Sequence, residues 1–204
     1  AEPANGGISD LGRAAIAEMN RCGVIVDVAH SGWQTSLEAA KASRAPVVAS
    51  HSSAAAVHRH IRSKPDEVIQ AIVDSGGYVG VLCVSSFLGG GGDLRAMMDH
   101  IEYLVKKFGS DHVAIGTDIA YMPAASGAES KKAGPRPRSR TRYEALWPPG
   151  ALTNASHPSL AWINWPMFTV GMVQRGIKDE NIRKILGGNV LRVAKAALAA
   201  RRSV

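Results

Sequence analysis

The chain has 204 residues, 46% hydrophobic and 20% charged, a globular composition long enough to enclose a core. No apolar run approaches the roughly 20 residues that a bilayer-spanning helix needs. The net charge of +7 is local: Lys131, Lys132, Arg136, Arg138, Arg140 and Arg142 supply six positive charges with no acid between them, so the fold-wide basic face of a nucleic-acid-binding protein is not expected.

The N-terminal residues Ala1-Glu2-Pro3-Ala4-Asn5 have neither an initiator Met nor the basic and apolar regions of a secretory signal. Gly6-Gly7-Ile8-Ser9 then introduces a helix from about Asp10 to Arg21. Ser9 is a good N-cap, and Leu11, Ala15, Ile16 and Met19 share one face at helical spacing. Cys22 and Cys83 lie in apolar stretches and read as two buried thiols, not a disulfide. The run Val24 to His30 is rich in β-branched residues and reads as a strand. A helix near Gln34 to Ser43 follows, then a second strand, Pro46 to His51.

Strand, helix, strand makes the two strands parallel neighbours. His30 and His51 then emerge at the same sheet edge, on strands about 4.8 Å apart. Two imidazoles converging there suggest a metal site, because neutral histidine is the commonest metal ligand.

Pro65-Asp66-Glu67 opens a further helix, with Pro in the first turn and two acids matching the helix dipole; Gly76-Gly77 ends it. Tyr78 to Val84 is a third apolar strand. Gly89 to Gly92 is a flexible connection that lacks the Lys-Ser/Thr ending of a phosphate loop, and a helix from about Leu94 to Phe108 follows. His112 to Asp118 is a fourth strand ending in a candidate ligand or base. A Pro/Arg-rich loop occupies about 120–158. Helices are expected over about Ser159 to Arg175, Asp179 to Leu186 and Val190 to Ala200. Trp147, Trp162 and Trp165 flank the return of the loop as lid or core residues. His112 falls at the start of its strand and reads as structural. His58 and His60 read as exposed or as supporting residues. No role is expected for His100 or His157.

The alternation predicts an α/β fold with about four parallel strands and flanking helices, treated as one partial domain over 1–204. Four such units make half of an eightfold barrel, which typically needs about 250 residues.

Glu18-Met19-Asn20-Arg21-Cys22-Gly23 followed by Val26-Asp27-Val28-Ala29-His30 is very similar to the membrane (renal-type) dipeptidase family of metallopeptidases. Three further segments resemble that family's signatures: Ser43 to Ala54 around His51, Asp111 to Asp118, and Ile182 to Val193. The resemblance implies the C-terminal part of a TIM-type (β/α)8 metallo-dependent hydrolase barrel, with two zinc ions at the strand C-termini of a complete site. By that resemblance His30 and His51 bind one zinc. Asp118 handles the proton of a metal-bound hydroxide, as catalytic and substrate-binding residue, and Arg62 binds the free carboxylate of a dipeptide substrate. Arg59 is a nearby alternative to Arg62. A fixed guanidinium pairs bidentately with a terminal carboxylate, which selects very short peptides.

The chain also departs from the family. No His-x-Asp motif for the other zinc occurs in it, Ser63 stands where many relatives have Asn, and Ile119-Ala120-Tyr121 replaces the commoner Phe-Asp-Gly. The expectation is therefore the C-terminal half of a dipeptidase barrel. Either a missing N-terminal half or a homo-oligomer would complete it, and an inactive fragment or scaffold is the alternative reading.

Overall fold

Ser9 caps the first helix, α1 (Asp10–Cys22), by accepting a hydrogen bond from Gly12 N at 3.1 Å. Gly23 ends it in the left-handed conformation, φ 73°, which glycine adopts without a Cβ penalty. The computed structural model describes residues 5–119 and 156–201. Nearly all of the expected loop at about 120–158, with the basic cluster and Trp147, therefore lies outside the described residues.

The chain continues as β1 (Val26–Asp27), α2 (Trp33–Ala42), β2 (Val47–Ser52), α3 (Asp66–Asp74) and β3 (Tyr78–Val81). Next come a short α4 (Ser85–Leu88), α5 (Leu94–Phe108) and β4 (Val113–Ile115). The four strands form one parallel sheet in the order β1-β2-β3-β4, as the alternation of strand and helix predicts. Val26 pairs with Val47, Val48 with Tyr78, and Val79 with Val113. The strands bury alternate side chains on opposite faces. Val47, Ala49, Val79, Val81 and Val113 join the main core, while Val48, Tyr78 and Ala114 pack on the other face against Val193. Burial on both faces is what a parallel sheet requires.

The strands are shorter than their apolar runs. Val28 still donates to Val48 O at 2.8 Å, and Thr117 O still accepts from Cys83 N at 2.9 Å, so the strand ends continue as irregular, paired backbone. These ragged ends carry the candidate residues.

The C-terminal region corrects one expectation. The helix expected over Ser159–Arg175 is instead two 3-10 turns, Pro158–Leu160 and Trp162–Asn164, followed by α6 (Trp165–Gln174). Pro166 has no N–H to give and fits only the first turn, so the helix starts there. The two later helices are separate, as expected: α7 (Asp179–Arg183) continues into the turn Lys184–Gly188, where Gly187 leaves helical backbone (φ 173°) and makes a kink, and α8 (Asn189–Ala199) follows. Asn189 pins that junction to the sheet by donating to Ser110 O at 2.7 Å and Val113 O at 2.8 Å.

Both cysteines are free thiols. Cys83 is buried as expected, but Cys22 is exposed. It lies one turn after Glu18 on the outer side of α1, beside Arg21, so the apolar run that follows does not cover it. Trp162 and Trp165 are not core residues either: they are 50% and 36% exposed, although Trp165 leans on the Phe168 ring, 5.4 Å away. Among the described residues, no helix is long and apolar enough to cross a membrane.

Candidate active site

The ends of three strands meet at one rim. His30 follows β1, His51 is the next-to-last residue of β2, and Asp118 stands just past β4. The His30 and His51 rings meet edge on, with centroids 4.9 Å apart and planes at 61°. Their Nε2 atoms are 2.8 Å apart. Asp118 Oδ1 lies 4.0 Å from His51 Nε2. Asp118 also has φ 56°, in the left-handed region where few non-glycine residues sit. Such strain gathers at functional sites, because the surrounding fold must hold it in place.

Two residues that the motif reading passed over set the state of His51. Asp27 Oδ1 accepts from Ala29 N at 3.0 Å and Ser50 N at 3.1 Å, which ties the β1 exit to β2. Its other oxygen accepts from Ser50 Oγ at 2.5 Å. A carboxylate only accepts, so the single Ser50 proton goes to Asp27. The 2.8 Å contact between Ser50 Oγ and His51 Nδ1 then requires the imidazole to donate. His51 is thereby held as the Nδ1–H tautomer, and its Nε2 presents a lone pair to the rim. Orientation of a ligating histidine through its second nitrogen is the usual companion of a metal site. The available signal was Asp27, an acid inside an otherwise apolar strand, and Ser50, immediately before His51.

Room for this arrangement comes from glycine. A Cβ at Gly116 would stand 1.7 Å from Ser50 O, and one at Gly80 2.0 Å from the same atom. Neither position has a positive φ, so space, not backbone freedom, explains both glycines.

Arg62 is buried, 5% exposed, with its guanidinium 5.5 Å from the centroid of Phe87. Ser52 Oγ donates to its carbonyl at 2.7 Å, and its amide donates to His60 Nδ1 at 3.1 Å. Arg59 is exposed and lies over Trp33, 5.8 Å from its centroid. Of the two arginines, only Arg62 is held by the fold and set close enough to His30 to act on it. Loss of water around the His30 ring lowers its pKa most, followed by the positive charge of Arg62; Asp118 opposes both. The rim thus favours neutral His30, the form that can ligate.

The other histidines do not join this rim. His60 is half-buried and stacks on Phe87 at 4.4 Å, and burial pushes its pKa down to about 4. His58 lies 6.4 Å from His60, and both are half-buried. His100 is fully buried. Its Nδ1 accepts from Ala54 N at 3.1 Å, which leaves Nε2 to donate to Leu88 O at 3.0 Å. His112 pairs through Nδ1 with Gly77 O at 2.8 Å, a structural contact.

The donors fit a metal in kind but not in number. Two imidazole nitrogens on one tetrahedral zinc stand about 3.3 Å apart, given bonds of about 2.0–2.1 Å. The observed 2.8 Å is close enough for small side-chain rotations to open it. Yet a catalytic zinc normally takes three protein ligands. Among the described residues, no group of three or more His, Cys, Asp or Glu could hold a metal ion.

Residues 1–132 match the model of the membrane dipeptidase family, peptidase family M19, and the chain belongs to that family. It is 29% identical over 197 residues to dipeptidase tcpJ of Claviceps purpurea and 31% identical over 196 residues to dipeptidase aclJ of Aspergillus oryzae. These matches cover 95% and 94% of the chain but 39% of each relative, so the chain spans about two-fifths of their length. Among solved structures it resembles an amidohydrolase from Pseudomonas aeruginosa, with TM-score 0.76 and 32% identity over 95% of this chain and 58% of that one. It also shares its fold with a metallopeptidase from Rhodobacter sphaeroides, solved with a phosphinate mimic of the dipeptide L-Ala-D-Ala. That match has TM-score 0.70 and 24% identity over 94% of this chain and 47% of that one.

Proposed function

We propose that this chain forms one side of the active site of a zinc-dependent dipeptidase, as the C-terminal part of a (β/α)8 barrel. His30 and His51 are two ligands of a zinc ion, Asp118 is the acid–base group, and Arg62 anchors the free carboxylate of the dipeptide. The observation that carries this reading is the convergence of the two Nε2 atoms, 2.8 Å apart, with the Asp118 carboxylate beside them. Family membership supports the reaction class, and the dipeptide mimic bound by the Rhodobacter metallopeptidase supports the substrate class.

A bound zinc ion supplies acidity: it brings the pKa of water toward 7 and so yields a nucleophile at neutral pH. The protein's own residues do the rest. Ser50 and Asp27 hold His51 in its ligating tautomer. Asp118, fixed in a strained backbone beside the two imidazoles, accepts a proton from the attacking water and returns it to the leaving amine. Arg62 presents a rigid cation that a peptide's terminal carboxylate can meet bidentately. Longer peptides place no terminal charge there, so the fit favours dipeptides.

Zinc titration of the chain and of His30→Ala, combined with dipeptide hydrolysis by the full-length protein and the same variant, tests this. We expect His30→Ala to weaken zinc binding and to abolish hydrolysis. Zinc binding and turnover both unchanged would overturn the assignment. The absence of a three-donor group among the described residues favours a second reading, a non-catalytic scaffold. Tight stoichiometric zinc binding by the chain alone would contradict the scaffold.

A further inference from the structure

Lys64 is among the largest fully buried side chains in the described fold and has no part in the chemistry above. Among the described residues its ammonium forms no ion pair with a carboxylate. It donates to Ser31 O at 2.7 Å and to Ser36 Oγ at 2.9 Å. Ser31 follows His30 directly. Ser36, in the first turn of α2, donates in turn to Gly32 O at 2.8 Å. A third bond runs the other way between the same segments: Trp33 Nε1 donates to Ser63 O at 2.8 Å.

The backbone of Lys64 is equally committed. Its N–H donates to Ser53 O at 2.8 Å, and its carbonyl accepts from Ala55 N at 2.9 Å. Beside it the Ser53 and Ser63 hydroxyls meet at 2.8 Å, and Ser52 Oγ reaches Arg62 O. Three segments therefore cross at this one residue: 31–36 after His30, 52–55 after His51, and 62–64 carrying Arg62.

Burying an ammonium without a counter-ion is costly, and a methionine of similar length would fill the space at less cost. What methionine cannot do is donate to the Ser31 carbonyl. We propose that Lys64 is a positioning residue that locks the turn after His30 to the Arg62 segment, setting the distance between the metal-binding imidazole and the carboxylate anchor. Its metal arm rests on the zinc reading above; its structural arm does not.

The test compares the native chain with Lys64→Met and with Leu104→Ala, a buried substitution in α5 remote from the rim. Backbone amide exchange over residues 31–36 and Zn2+ affinity are both measured. We expect Lys64→Met to speed exchange in that segment and to weaken zinc binding, each at least tenfold. Leu104→Ala should lower the melting temperature and do neither. The proposal is overturned if Lys64→Met matches Leu104→Ala in both readouts. If Lys64→Met does not fold, Lys64→Gln, which keeps an N–H donor, replaces it and must show the same two losses in smaller measure. Should the native chain bind no zinc, as its two imidazole ligands allow, the exchange data alone decide the role of Lys64.

Discussion

Removing the Ser50 hydroxyl leaves His51 Nδ1 without the oxygen that holds its proton. Ser50→Ala should therefore weaken zinc binding by about 10–100-fold with little change in fold, the usual cost of losing a residue that orients a metal ligand. Competition titration against a zinc chelator measures it, and an unchanged affinity would refute the Asp27–Ser50–His51 relay. Lys64 gives a second prediction at this scale. Burial, with the neighbouring Arg62 charge, lowers its pKa from 10.5 to about 7, against a smaller opposing pull from Asp27. Between those values the unfolded chain holds a proton that the folded chain does not, so stability rises with pH from about 7 to 10.5. It is fully present above 10.5 and is lost as pH falls through 7. Urea unfolding at pH 6 and pH 9 should show a larger gain for the native chain than for Lys64→Met; equal gains would contradict the shift.

At the scale of elements, the approach of β2 to β3 and β4 is set by two hydrogen atoms. Gly80 and Gly116 both face Ser50 O, and any Cβ there meets that carbonyl well inside contact distance. Gly116→Ala must push the β2 end outward, at a cost of about 1–3 kcal/mol in stability. The same movement displaces His51, so zinc affinity should fall with it. Denaturant unfolding paired with zinc titration checks both, and a stable variant with native affinity would show that the strands part without strain. The junction of α7 and α8 depends on Asn189, which meets two carbonyls from the segment entering β4. Asn189→Ala leaves those buried acceptors without their donor, which costs about 1–3 kcal/mol. Both glycines and Asn189 were visible as letters; their partners lie 30 to 79 residues away in sequence and could not be read from local pattern.

For the molecule as a whole, the sheet is covered on one face by α1 to α7 and on the other by α8, and His30, His51 and Asp118 share the rim where the strands end. A metal bound at that rim ties β1 to β2 and stabilises the folded state by mass action. At a free zinc concentration one hundred times the dissociation constant the gain is about 2.7 kcal/mol. The melting temperature should rise on zinc addition and fall back with a chelator. A melting curve indifferent to zinc would count against a metal site completed within this chain.

The order of elements was legible because β-branched runs, helix caps and glycine stops are local signals. So was the parallel sheet, because a strand–helix–strand crossover admits no other short solution. His30, His51 and Asp118 could be named because each stands at the end of an apolar run, and Arg62 through its spacing from His51 in a recognisable motif. Local signals failed where tertiary contacts compete with propensity: the 3-10 turns before Pro166 and the exposure of Cys22. They also failed for residues that act through partners distant in sequence. The tautomer of His51, the burial of Lys64 and the space left by Gly80 and Gly116 exist only once separate strands are brought side by side. Sequence pattern determines which groups reach the rim, since strand direction and period are local properties. Only the packed sheet decides how close they stand and which nitrogen keeps its proton, since both depend on contacts that the folded chain alone creates.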